Sequence, residues 1–284
     1  MKIKNYAVIG HPIGHTMSPF IHKRLFELSN IDAKYTVIDI KPQDLKVKFD
    51  NELKYLDGFN ITIPHKQNII ECLCSLDEKA KLYGSVNTVD NKDGKYTGYT
   101  TDPDGFLQAL KAYNIPFEKE VTILGTGGVA RTIVYEAIKA NCDLTIAVRK
   151  EDVQIANNLI KEVENNMGAS KINTCLINEL ENNNKEINLL INATPIGMYP
   201  NVENCPVSDK IIKNSKNVFD AVYNPLETIL VQKAKAQGST AVGGMSMLVW
   251  QAVVAHSIWD ESVYNAEDID KLCTDSANEL KKNF

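Results

Sequence analysis

Two side chains able to move a proton stand in short motifs far apart in the chain. Lys66 ends "NITIPHK" (60–66), and Asp102 lies in "GYTTDPDG" (98–105). Pro64 closes a strand-like run and aims Lys66 at the strand's C-terminal edge, where open α/β sheets bind ligands. Hydride removal from an alcohol needs a partner for the hydroxyl proton. A lysine and a carboxylate sharing one site, each tuning the other, can supply it. On spacing alone, a surface lysine and a loop aspartate remain the default.

A third motif is a glycine turn in "VTILGTGGVARTIVYEAIKANCDLTIAVRKED" (121–152). Gly125, Gly127 and Ala130 follow an apolar strand and open a helix, matching G-x-G-x-x-G/A in context. The first glycine permits the tight turn, the second lets backbone approach a pyrophosphate, and the small third residue lets helix and strand pack closely. The helix N-terminus offers free N–H groups and partial positive charge to phosphate. Where an NAD site would carry an acid for the ribose 2′-OH, this chain has Arg149 and Lys150. A guanidinium can hold a 2′-phosphate bidentately, which favours NADP. Glu151 and Asp152 close by keep NAD use possible.

These residues need elements to position them. "YAVIG" (6–10), "AKYTVIDI" (33–40) and "GFNITI" (58–63) read as strands, and "SPFIHKRLFELSN" as a helix with Ser18 at its cap and Pro19 at its first position. "DLKVKFDNEL" and residues 65–82 read as helical, and "SVNTVDNKDGKYTGYTTD" as a hairpin turning at Asp93-Gly94. From residue 121 a second alternation begins, with strands at 121–124, 144–148, 187–191 and 217–221 and a further element at 240–242. "NELENNNKEIN" reads as a solvated loop. The fold class is α/β in two lobes, with a mostly parallel sheet in the first and a Rossmann-type arrangement in the second. The expected divisions are 1–102, 103–238 and a helical 239–284.

At 284 residues the chain can hold two cores. It is 44% hydrophobic and 24% charged, which excludes disorder, and its formal charge of −5 without a basic run makes nucleic acid a poor partner. The start has no apolar stretch or cleavage site of a signal peptide. "MSMLVWQAVVAHSIW" is too short and too polar for a membrane span and reads as a buried helix. Six scattered cysteines without a CxxC pair read as reduced thiols, and the expected compartment is the cytoplasm. His11 and His15 lack the convergent ligands a metal needs, so none is expected. His65 should point away from Lys66 along the strand. Gln251, a polar group in an apolar helix, needs a partner.

Taken in order, the motifs resemble those of the shikimate dehydrogenase family: "VIGHPIGHTMSPFIH" (8–22), "NITIPHK" (60–66), "GSVNT" (84–88), "TDPDG" (101–105), "GTGGVAR" (125–131), "INATPIGM" (191–198), "DAVYNPLETILV" (220–231) and "GGMSMLVWQA" (243–252). The resemblance implies a substrate lobe, an NADP lobe and C-terminal helices returning to the first. It also implies reversible NADPH-dependent reduction of 3-dehydroshikimate to shikimate, in aromatic amino-acid biosynthesis. By this resemblance Lys66 and Asp102 are the catalytic pair, and which of them carries the proton stays open. Thr16 and Ser18 hold the substrate carboxylate, with Tyr223 near it, and Thr62, Asn87 and Gln251 surround the ring hydroxyls. Gly125, Gly127, Gly128 and Ala130 form the phosphate loop, Arg149 reads the 2′-phosphate, and Thr194 lines the cofactor. Gly244 and Met247 lie by the nicotinamide. A monomer and a homodimer both stay open.

Three departures stand out. The family's Asn-Thr-Asp is Thr100-Thr101-Asp102 here. Its Asn-Arg-Thr is Val148-Arg149-Lys150, with Val153 in place of a later arginine, which keeps NAD in play. Its first carboxylate-binding serine is Thr16, which leaves open a quinate/shikimate dehydrogenase with relaxed cofactor use.

Overall fold

A computed structural model describes residues 3–14, 16–168, 171–182 and 185–283. The chain divides into two compact units, Met1–Gly105 with Val249–Phe284, and Phe106–Leu248.

The first unit is built on a six-stranded sheet in the order β2-β1-β3-β5-β6-β4. Its elements are β1 (Lys4–Gly10), α1 (Ser18–Leu28), β2 (Ala33–Asp39), α2 (Leu45–Asn51), β3 (Gly58–Ile61), β4 (Ser75–Leu76), α3 (Glu78–Tyr83), β5 (Thr88–Lys92) and β6 (Lys95–Tyr99). Then α4 (Asp102–Ala112) begins. Strands β2, β1 and β3 are parallel. The β5–β6 hairpin runs antiparallel to its neighbour β3. Its turn falls at Asp93-Gly94, both with positive φ (55° and 80°), the conformation a two-residue hairpin demands. The sheet is therefore mixed.

Two expectations for this unit change. Residues 65–82 are not one helix. They form a 3-10 turn at Asn68–Cys72, then β4 paired with β6, then α3. Strand pairing captures Ser75 and Leu76, and the Asp77 carboxylate caps α3 by accepting the Ala80 N–H at 2.8 Å. At α1, Ser18 is the first helical residue, and its N–H is taken by the Thr16 hydroxyl at 3.2 Å.

The second unit holds β7 (Glu120–Leu124), α5 (Gly128–Lys139), β8 (Asp143–Val148), α6 (Val153–Met167), β9 (Ile172–Leu176) and β10 (Ile187–Asn192). It continues with α7 (Asp209–Lys213), β11 (Ser215–Asp220), α8 (Ile229–Ala236) and β12 (Thr240–Val242). The sheet order is β12-β11-β10-β7-β8-β9, and every neighbouring pair is parallel. That is the doubly wound arrangement, with its switch point between β7 and β10. Leu124, Ala147, Leu190 and Val218 are almost fully buried, as strands covered on both faces require. The strand β9 was not expected. The third division also moves: β12 pairs with β11, so residues 239–248 stay with the second unit.

The last elements are α9 (Met245–Asp260) and α10 (Ala266–Asn283). From Val249 onward they belong to the first unit. Trp259 fixes this part of α9: its indole N–H donates to the Val89 carbonyl at 2.9 Å, and its ring stacks on Tyr6 at 4.5 Å. Gly58 makes the space, since a Cβ there would lie 2.5 Å from the indole nitrogen. Among the described residues no helix is long and apolar enough to cross a membrane.

The same packing buries two histidines. His22 Nδ1 and His256 Nε2 are 3.1 Å apart, so one must be the donor and the other a neutral acceptor. His256 Nδ1 meets the Tyr264 hydroxyl at 2.9 Å, and the Asp260 carboxylate lies 3.7 Å away. Desolvation drives both histidines down, His256 to about 3, and His22 is lowered further by its neighbour His256. A depressed folded-state value means the unfolded chain takes up protons first. Stability is complete above about 6.5, the ordinary histidine value, and is lost as pH falls toward the folded value. We expect denaturant-unfolding free energy to drop on going from pH 7 to pH 5, and His256→Gln to shallow that slope by up to about 1.4 kcal/mol per pH unit. Parallel slopes for the two proteins would refute this account.

Candidate active site

In the first unit, the loop after β3 carries Lys66, and the first turn of α4 carries Asp102. Lys66 Nζ donates to Asp102 Oδ2 at 2.6 Å, across 36 positions of sequence. The lysine side chain is 12% exposed and the aspartate 1%, so the pair is nearly dry and its small exposure is on the lysine. The other carboxylate oxygen accepts from Asn87 Nδ2 at 2.9 Å. That nitrogen also reaches Thr101 Oγ1 at 3.0 Å and Gln251 Oε1 at 3.1 Å. Asn87 Oδ1 accepts the Thr101 N–H at 2.8 Å. Thus Lys66, Asp102, Asn87 and Gln251 form one constellation, and the partner Gln251 needed is the Asn87 amide.

Thr62, half-buried, follows β3 and donates its N–H to the Ile9 carbonyl at 2.9 Å. Thr16 and Ser18 sit at the start of α1, the Thr16 hydroxyl donating to Ser18 Oγ at 3.1 Å. His65 faces away from this cluster, its Nε2 on the Ile40 carbonyl at 2.6 Å. His11 pairs with Asp39 at 2.6 Å, and His15 lies outside the described residues.

The second unit holds the remaining candidates. Gly125 follows β7 with φ +98°, a conformation other residues rarely adopt. Gly127 caps α5 in extended conformation, and nothing lies within 4 Å of where its Cβ would be. Backbone is therefore open to a ligand there, beside the N–H groups of a helix whose first turn, from Gly128, has no acid. Ala130 is fully buried, as close helix–strand packing requires. These features fit a dinucleotide's pyrophosphate. Thr194, after β10, is the neighbour across the switch point, its methyl 2.8 Å from the position a Gly125 Cβ would take. Its hydroxyl is spent on the loop itself, donating to Asn192 Oδ1 at 2.6 Å and accepting the Ile196 N–H.

Arg149 stands at the end of β8 and is 61% exposed. Its guanidinium is held by Asp152 (2.8 and 2.9 Å) and Glu151 (3.3 Å). Such exposed pairs are weak, so the arginine can trade them for a phosphate. Tyr223 lies in the loop after β11, and Met247 is 4% exposed on α9. Gly244 is forced sterically: a Cβ would sit 2.3 Å from the Ala221 carbonyl oxygen.

Residues 8–89 match the family model "Shikimate dehydrogenase substrate binding domain". The shikimate dehydrogenase (NADP(+)) of Clostridium perfringens is 37% identical over 286 residues, 99% of this chain and 100% of that one. That of Methanocaldococcus jannaschii is 36% identical over 266 residues, 91% and 92% of the two chains. The structure of the Thermus thermophilus shikimate 5-dehydrogenase, solved with NADP(H) and shikimate, superposes with a TM-score of 0.84 at 27% identity, covering 96% of this chain and 100% of that one. The chain belongs to the shikimate dehydrogenase family.

Two residues that shape the family's second unit here escaped the sequence reading. Asn192 and Asp220 end β10 and β11 and are fully buried. Asp220 Oδ1 accepts from Asn192 Nδ2 (2.9 Å) and the Val222 N–H (3.0 Å), and Oδ2 from the Thr228 hydroxyl (2.6 Å). Desolvation pushes the Asp220 carboxyl up to about 6 despite those three donors. Together they set the loops that carry Thr194 and Tyr223. The available signal was a polar residue closing each apolar strand.

The two turn glycines differ in what they require. Gly125→Ala should cost about 1–3 kcal/mol, since the backbone there is left-handed. Gly127→Ala has open space and ordinary dihedrals and should cost no more than about 1 kcal/mol. Equal losses of Tm in the two variants would show that the turn is not held by Gly125's conformation.

Proposed function

We propose that this protein is an NADP-dependent shikimate dehydrogenase, reversibly reducing the ketone of 3-dehydroshikimate to the hydroxyl of shikimate. The observation that carries this reading is the dry Lys66–Asp102 pair at 2.6 Å, with Asn87 on its second oxygen. NADPH, when bound, supplies the hydride. The chain's residues handle everything else. The Lys66 ammonium meets the negative charge that develops on the ketone oxygen, and low local water makes that interaction strong. The lysine–carboxylate pair then delivers the proton that oxygen needs, and in the oxidative direction takes it back. The two groups share this proton as a coupled unit. Asn87 and Gln251 amides face the ring hydroxyls with Thr62, and the Thr16 and Ser18 hydroxyls anchor the substrate carboxylate.

For the cofactor, the open face of Gly127 and the N–H groups of α5 from Gly128 hold the pyrophosphate. Gly125 and Ala130 set the turn, Arg149 takes the 2′-phosphate, Thr194 lines the cofactor, and Gly244 and Met247 lie by its nicotinamide end. The division of labour we infer is substrate binding and catalysis in the first unit and NADP binding in the second. The cytoplasm is the setting we infer, supported by six cysteines all present as free thiols.

Steady-state rates with shikimate and NADP+ test this. Lys66→Ala and Asp102→Asn should each lower kcat by about 10²- to 10⁴-fold, the usual loss on removing an acid–base group. Turnover near the parental rate in either variant would remove that group from the chemistry. Arg149→Asp should reduce kcat/KM for NADP+ far more than for NAD+, and equal losses would take the 2′-phosphate away from Arg149. Quinate offered in place of shikimate should give the lower kcat/KM.

A further inference from the structure

The hydroxyl of Tyr35, on edge strand β2, lies outside every role assigned above. It donates to Asn60 Oδ1 on β3 at 2.7 Å. The phenol proton therefore has Asn60 as its destination. The Tyr35 ring is clamped by His22, whose plane stacks on it at 4.2 Å and 8°. Desolvation holds the phenol well above its ordinary range, so it stays a donor at any pH where the enzyme works.

From Asn60 the bonds continue in one direction. Asn60 Nδ2 donates to Thr88 Oγ1 at 3.1 Å and to the Asn87 carbonyl at 3.3 Å. The fully buried Thr88 hydroxyl, one lone pair so occupied, donates to Asn87 Oδ1 at 3.2 Å. Asn87 Nδ2 donates to Asp102 Oδ1. An unbroken run of donors thus leads from the Tyr35 phenol to the buried carboxylate, each bond polarising the next. The Thr101 N–H already fixes which end of the Asn87 amide is the oxygen. The Thr88 hydroxyl adds a donor from a different residue to that oxygen, beside the N–H and hydroxyl of Thr101, and so fixes the plane of the amide, and with it the aim of Nδ2 at Asp102.

We propose that Tyr35 is a positioning residue for the reaction, aligning Asn87 and Asp102 through Asn60 and Thr88. The proposal rests on the reading of Lys66 and Asp102 given above. Without the phenol, Asn60 Oδ1 loses its donor, the amide loosens, and the Thr88 hydroxyl gains an alternative acceptor in Asn60.

The test is kinetic, on the full chain with shikimate and NADP+. Tyr35→Phe should lower kcat about three- to tenfold, the worth of one neutral hydrogen bond. Thr88→Val should lower kcat alone by a similar factor, and Thr88→Ser should recover most of that loss. In the double variant Tyr35→Phe/Thr88→Val the kcat losses should not multiply, because both break one chain. Parental kcat in Tyr35→Phe, or losses that multiply, would overturn the relay. If Tyr35→Phe does not fold, the Thr88 comparison decides, and equal kcat in the Val and Ser variants sinks the idea. Lys66→Ala in the same assay separates the two claims. If it retains turnover, the catalytic assignment fails; if it is inactive while Tyr35→Phe is unaffected, the relay alone fails.

Discussion

A carboxylate with 1% of its side chain exposed cannot stay ionised without compensation. Stripping water from one such ion costs several kcal/mol even after relaxation, and a lone buried charge is among the most destabilising groups a fold can hold. Asp102 meets that requirement with an ammonium on one oxygen and an amide on the other. The surrounding structure follows from the need to bring those donors together. The loop after β3 delivers Lys66, the residue before β5 delivers Asn87, and α4 starts at the aspartate itself. The Trp259 anchor on β5 then fixes the helix that carries Gln251.

The second unit solves a different problem with the same geography. Parallel strands all end on one edge, and the polar groups that finish β10 and β11 are turned inward to shape loops, not outward to bind. Asn192 and Asp220 are as dry as the hydrophobic residues beside them, yet every polar atom of the Asp220 carboxylate has a donor. The edge is left to backbone, a helix N-terminus and an open glycine, and to one guanidinium at the rim.

What could be read in the sequence follows from these physical differences. The strands of the second sheet were legible because burial on both faces makes them apolar runs, "VTIL" and "INLLIN" among them. Strand β9 was not, since an edge strand half in solvent tolerates "INTCL". The stretch 65–82 has helix-like apolar spacing, but a two-residue pairing with β6 overrode it. Lys66 and Asp102 could be nominated one at a time; their meeting across 36 positions came only through the resemblance, because no local pattern encodes it. Tyr35, Asn60, Asn192 and Asp220 were passed over because a polar residue in a strand declares itself only when its neighbours across the sheet are known.

Arg149 has one more consequence. Its guanidinium is shared with Glu151 and Asp152, and the chain as a whole carries −5. The rim therefore projects little net positive field beyond a Debye length, roughly 8 Å at physiological ionic strength. A polyanionic nucleotide approaching it gains scant acceleration from a distance. Capture depends on contacts made after arrival, so encounter should be nearly indifferent to salt while residence is not.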